Sequence, residues 1–261
     1  MFLYRCNLTL HDNVFFATRE MGTLYETEKY LHNWALSYAF FGSSHIPTPY
    51  RLQGLANKKP GYLEPDNEQN LLNLNDAGIY VFSGMPLKWS YQVNTFKAAQ
   101  VTYYGKSKQF GDKGADRNYP INFGRAKELA VGSTYRTYIA SSEVVEIPRW
   151  IRLGKWASKI EVDARLIPAS GLTATTGDYT CEHPLNPIDL PDSSRLLLYN
   201  RVVMPPVSLI SQARLSGQYW DIAKPDNWAE LEAWSGLEDL PNRVCLPQGG
   251  AYGASLAATP A

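Results

Sequence analysis

From Lys159 to Ile167 the chain alternates without a break: Ile160, Val162, Ala164 and Leu166 on one side, Lys159, Glu161, Asp163 and Arg165 on the other. A two-residue period marks a half-buried β-strand, because successive side chains leave opposite faces of the pleat. The first residues repeat the pattern, with Leu3, Arg5, Asn7 and Thr9 interleaving Phe2, Tyr4, Cys6, Leu8 and Leu10. Between and after these segments, 17 prolines and 19 glycines interrupt a chain of 261 residues. Frequent breakers and short strands favour a β-rich architecture over a helical bundle.

One segment reads as a helix. Thr23 and Glu26 have the spacing of a capping box, Leu24, Leu31, Trp34, Ala35, Tyr38 and Phe41 recur at helical intervals, and Gly42 supplies the stop. Its aromatic stripe reads as core, and His32 as a partly exposed residue on the helix. Gly78 to Phe82, Trp89 to Phe96, Glu143 to Ile151 and Arg195 to Met204 read as further strands; Trp89, Tyr91, Val93 and Thr95 share one face. Val101 to Tyr104 runs into Gly105 to Phe110, a tip rich in Gly, Asp, Asn and Pro follows to Gly124, and the chain returns through Ser133 to Ile139. That is the pattern of a long projecting hairpin. Asp226 or Asn227 caps a short helix through Trp228, Leu231 and Trp234. The expectation is one elaborated α+β domain over residues 1–245, with an irregular insertion at 43–76, the projecting hairpin at 100–138 and a disordered tail at 246–261.

The chemistry that is missing narrows the function. No GxxxxGK[ST], GxGxxG, HExxH or GxSxG motif is present. Four scattered histidines, and three cysteines without a CxxC pair, argue against a bound metal or a disulfide scaffold, so no cofactor is expected. No apolar run is long enough to span a membrane. With no secretory start, the expected location is the cytoplasm.

Charge is zero in total and segregated along the chain. Residues 1–96 carry 7 basic and 8 acidic side chains, 97–165 carry 13 and 7, and 166–261 carry 5 and 10. A basic middle third within a neutral chain is a footprint for a polyanion. Two clusters carry it. Tyr104, Lys106, Lys108 and Phe110 share a side of the hairpin if it is extended, with Thr102. Arg149, Trp150, Arg152, Lys155, Trp156 and Lys159 interleave cations and indoles around Gly154. Cations neutralise phosphates, aromatic faces stack on unpaired bases, and a glycine lets the backbone approach a ribose-phosphate chain. The combination suits single-stranded RNA. A solvated rim with Trp150 and Trp156 buried is the competing reading, and the residues alone leave both open.

The opening stretch FLYRCNLTLHDNVFFATREMGTLYETEKYLHNWALSYAF and the segment IPRWIRLGKWASKIEVDARLI resemble the handle-capping subunit of type I-D CRISPR systems, the Csc-one or Cas-five-like family. The resemblance implies a RAMP-type fold, related to the ferredoxin-like RNA-recognition fold, with a thumb hairpin. It implies a non-catalytic subunit of a Cascade effector that grips the 5′ handle of the guide RNA. Its implied neighbours are the backbone filament subunit, the Cas-ten-like large subunit and, close by, the protospacer-adjacent motif of target DNA. Residues 100–138 are then the thumb candidate and Arg152 to Trp156 a handle contact. A type I-C relative cleaves its own transcript with Tyr, Lys and His. A metal-independent endoribonuclease is therefore the alternative, with His11 and Lys155 as first suspects. An aromatic-rich carbohydrate binder is the third reading, and insensitivity to salt would separate it from phosphate gripping.

Overall fold

The computed structural model describes residues 1–42, 44–46, 60–96 and 124–256, with the backbone of 52–53, 56–57, 97, 123 and 257. Strand β1 (Phe2–Leu10) is central. The strands that flank it are both drawn from the middle of the chain. The later elements of the amino-terminal half are β2 (Arg19–Met21), β3 (Leu24–Glu26), α1 (Asn33–Phe41), a short pair β4 (Leu52–Gln53) and β5 (Ala56–Asn57), α2 (Leu72–Asp76), β6 (Ile79–Val81), β7 (Met85–Lys88) and β8 (Tyr91–Lys97). Then come β9 (Phe123–Leu129), β10 (Thr134–Ser141), β11 (Trp150–Leu153) and β12 (Ser158–Leu166). The main sheet runs β11-β12-β1-β10-β6, with β7 also on β10. Every pairing in it is antiparallel, from Phe2↔Ser141 to Thr9↔Thr134 on one side of β1 and Tyr4↔Leu166 to Leu10↔Ile160 on the other. Because β1 and β6 both oppose β10, they are parallel to each other, with α1 in the connection between them.

On one face of β1, Cys6, Leu8 and Leu10 are buried in the core; on the other, Leu3 and even Arg5 are fully covered. At the far end of β12 the alternation fails, since Leu166 is exposed. Glu143 to Pro148 form no strand, so β11 begins only at Trp150.

The helix starts nine residues later than its pattern predicts. Leu24–Glu26 is instead a strand, antiparallel to β2 and parallel to Arg125–Lys127 of β9. Gly22, at φ +65°, makes the tight turn between β2 and β3. Pairing with a remote strand has overridden a local helical pattern. His32 is the true N-cap: its Nδ1 accepts from the Trp34 backbone N–H at 3.1 Å, and Nε2–H donates to the Val207 carbonyl at 3.0 Å. It is 3% exposed, not partly exposed. Gly42 does end α1, but in right-handed geometry, its N–H reaching the Tyr38 carbonyl.

The return segment Ser133 to Ile139 is not an arm of a projecting hairpin. It enters β10, beside β1. The antiparallel arms are β8 and β9, paired from Tyr91↔Leu129 to Lys97↔Phe123, and with β2 and β3 they form a separate four-stranded sheet.

The last third is a second sheet that the sequence pattern barely announces. The fifteen-residue β15 (Leu209–Ala223) pairs along one edge with all of β13 (Leu172–Cys181). Its other edge is divided between β14 (Arg195–Val202) and β16 (Arg243–Pro247). Trp228 to Trp234 form two 3-10 turns rather than an α-helix. The segment Gly236–Asp239 covers the main sheet: Arg5 donates to the Gly236 carbonyl and to Asp163 at 2.7 Å, and Arg136 donates to Asp239 at 2.5 Å. Buried charge of this kind persists because each guanidinium is paired with a carboxylate.

The tail is not disordered through residue 257. Tyr252 is 1% exposed, its hydroxyl hydrogen-bonded with Ser37 at 2.7 Å and accepting from the Val81 N–H at 3.0 Å. Next to it, the Gly253 N–H donates to Asp189, a buried carboxylate that also accepts from Asn33 and the Trp34 indole. The C-terminal segment thus ties α1 to the edge of the main sheet.

Candidate nucleic-acid interface

The β11–β12 hairpin has one buried and one open face. Ile151, Leu153, Ile160 and Val162 point into the core, which sends Trp150, Arg152, Lys159 and Glu161 outward, with Trp150 opposite Glu161 and Arg152 opposite Lys159. Trp150 is 39% and Trp156 50% exposed, so the reading that buried both indoles fails. The Lys159 ammonium lies 3.9 Å from the Trp150 ring centroid, and His11 meets the same ring edge-on at 5.1 Å. Trp156 stacks on Phe15 at 4.6 Å.

The cations differ in how far they are engaged. Arg149 is held by Glu161 at 3.0 Å, and its hydrogen bond pulls the Glu161 carboxyl below its usual range. Arg152 reaches the Ala157 carbonyl and lies 3.9 Å from Asp12. Lys155 and Lys159 are exposed and have no carboxylate partner among the described residues. These two lysines are the cations most available to a phosphate.

Gly154 has a structural role of its own. Its φ is +81°, and a Cβ there would stand 2.9 Å from the Phe15 carbonyl oxygen. The close approach is to the protein's own 14–15 segment, where the Lys155 N–H also donates to the Phe15 carbonyl at 2.9 Å. His11 hydrogen-bonds Glu161 at 3.2 Å, but among the described residues no hydrogen bond or ring contact joins it to Lys155. Tyr104, Lys106, Lys108 and Phe110 lie outside the described residues.

A second exposed array went unrecognised in the sequence. In the small sheet, Ala126 and Glu128 of β9 are buried, which turns Arg125 and Lys127 to the opposite face beside Val93 of β8. Trp89 is 40% exposed, and Tyr91 lies next to it at 6.1 Å between ring centroids. Lys127 sits 4.4 Å from the Tyr91 ring, and Lys29 sits 5.7 Å from the Trp89 ring and 5.1 Å from that of Tyr30. Beside them Arg19, Glu28, Lys29, Tyr30, Arg201 and Ser211 line a cleft of about 470 Å³. The alternation of Trp89, Tyr91 and Val93 was visible. That their face is open was not, because the residues completing the array come from four distant segments.

Among the described residues no cluster of His, Cys, Asp or Glu could hold a metal ion, and no helix is long and apolar enough to cross a membrane. No curated protein matches the chain. The family model for the type I-D CRISPR-associated protein Cas5/Csc1 matches residues 1–255. That match takes in the main sheet, the hairpin and the second sheet alike, and the chain therefore belongs to the type I-D Cas5/Csc1 family of CRISPR-associated proteins.

Proposed function

We propose that this chain is a non-catalytic, RNA-binding subunit of a type I-D CRISPR effector, and that it holds the 5′ handle of the guide RNA on the open face of the β11–β12 hairpin. Membership of the family supports a role in a CRISPR effector. The observation that carries the RNA-binding site is the exposed Trp150 ring under the Lys159 ammonium, with Lys155, which has no carboxylate partner among the described residues, on the adjoining turn. An indole offers a base a stacking face, and ammonium groups without carboxylates release counterions when phosphate replaces solvent. The main sheet supports the RAMP reading. Its order β12-β1-β10-β6, with one helix between two parallel strands separated by β10, fits a ferredoxin-like sheet in which the β11 arm stands in place of the second helix. In this reading the paired strands β8 and β9 belong to the thumb. The filament subunit, the Cas-ten-like subunit and the region of the protospacer-adjacent motif are the neighbours. Binding is favoured over cleavage because His11 is engaged by Glu161 and Trp150 and is not joined to Lys155.

The test is a titration of the purified chain with repeat-derived handle RNA across a range of salt. Replacing Lys155 and Lys159 with Ala should weaken binding and flatten the log–log salt slope by about 1.4, at ~0.7 per phosphate contact to a single strand. Trp150→Ala should lower affinity about tenfold with the slope unchanged. An unchanged slope in the lysine double variant removes the hairpin from the site.

A further inference from the structure

We propose that the open face of the β2-β3-β9-β8 sheet is a second binding surface for single-stranded nucleic acid, distinct from the β11–β12 hairpin. Trp89 and Tyr91 would serve as stacking platforms, and Lys29 and Arg201 would anchor phosphates in the adjoining cleft.

A four-stranded sheet with one buried side normally turns polar groups to water on the other. Here the outward side presents Tyr91 and Val93, with Trp89 just before the strand. Cations surround these apolar groups. Lys127 and Lys29 lie over the rings, a geometry in which each ring keeps a face for a further planar group.

The charge balance selects the occupant. Glu26 is paired with Lys127 at 2.9 Å and Glu28 with Arg19, so both carboxylates beside the cleft are already neutralised. Lys29, Lys88, Arg125 and Arg201 have no carboxylate partner among the described residues. Among the described residues the Arg201 side chain hydrogen-bonds the Ser208 hydroxyl, and it lines the cleft with Lys29. Unpaired cations at a concave site, flanked by exposed indole and phenol rings, match alternating phosphates and bases. A duplex keeps its bases stacked inside and could use only the cations.

The experiment uses the full chain and labelled twelve-nucleotide oligo(dT) and oligo(U), read by fluorescence anisotropy across a salt series. Trp89→Ala should weaken binding about tenfold without changing the salt slope. Lys29→Ala combined with Arg201→Ala should weaken binding and reduce the slope by about 1.4. All these side chains are partly or fully exposed, so thermal melts should match the wild type and exclude unfolding. A stronger effect on one oligonucleotide than on the other identifies RNA or DNA as the strand taken. The separate role of the face is tested by first saturating the chain with handle RNA. Retained oligonucleotide binding, lost in the Lys29/Arg201 variant, supports two surfaces. Complete competition overturns the second surface while leaving the hairpin reading intact. Equal binding of duplex DNA or of poly-glutamate would also overturn it, the latter in favour of an acidic protein segment.

Discussion

Lowering the pH from 7.5 to 5.0 should destabilise this protein by about 3 kcal/mol, and two buried histidines account for the loss. His32 and His183 are each 3% exposed. Protonating His32 at Nδ1 would destroy the acceptor that caps α1, since Nε2–H is already committed to Val207. His183 donates from Nε2 to the Ser83 carbonyl at 2.6 Å, and its Nδ1 is buried without a partner among the described residues; a proton there would add charge to the core near Arg136. Burial therefore lowers their pKa values from 6.5 to about 4 and about 3. Above pH 6.5 both are neutral, folded or unfolded. As pH falls below 6.5 the unfolded chain takes up two protons that the folded chain refuses, which at pH 5.0 costs about 2 kcal/mol per histidine. Asp189 works the other way. Burial raises its pKa to about 6, so between pH 6 and 3.8 the folded state takes the proton first, and about 1 kcal/mol is regained by pH 5.0. Carboxylates held low, such as Glu161 and Asp239, lose their contribution only below this window. The assay is urea denaturation at both pH values at fixed ionic strength. His32→Asn keeps a cap acceptor and should remove about 2 kcal/mol of the pH dependence. Coincident wild-type curves, or an Asn variant with undiminished pH dependence, would refute the reasoning.

Two further predictions concern the frame that holds the sites. Gly154→Ala should cost about 2 kcal/mol, from an alanine forced to positive φ and a methyl group pressed against Phe15, and a urea midpoint equal to the wild type would return the glycine to the RNA-contact role. Tyr252→Ala should destabilise by about 3–5 kcal/mol, as loss of a buried aromatic ring does, whereas a disordered tail would make the change neutral in the same assay.

The sequence made some of this architecture legible and hid the rest for physical reasons. β1 and β12 were readable because each buries one face over most of its length, Cys6, Leu8 and Leu10 in β1 and Ile160 and Val162 in β12, which imposes a period of two. The basic hairpin was readable because its cations and indoles fall within eleven residues, 149–159. The helix start was misjudged because Leu24–Glu26 answers to β9, a hundred residues away, and not to its neighbours. His32 caps through a ring nitrogen, outside the usual Ser, Thr, Asp and Asn signals. In the second sheet, Gly177 and Gly217 face each other in the middle of β13 and β15, both at positive φ, and interrupt the alternation that would have announced a fifteen-residue strand. The array around Trp89 draws on residues 19, 29, 89, 91, 127 and 201, and only the fold assembles them.

The central claim is that this chain holds guide RNA within a multisubunit effector. The most direct measurement is to tag the chain in a host that expresses the neighbouring genes, purify it gently and sequence the RNA that accompanies it. The account predicts short RNAs with one common 5′ end, in a complex with several other proteins, and their loss on replacing Trp150, Lys155 and Lys159 together. A monomer free of RNA would contradict it.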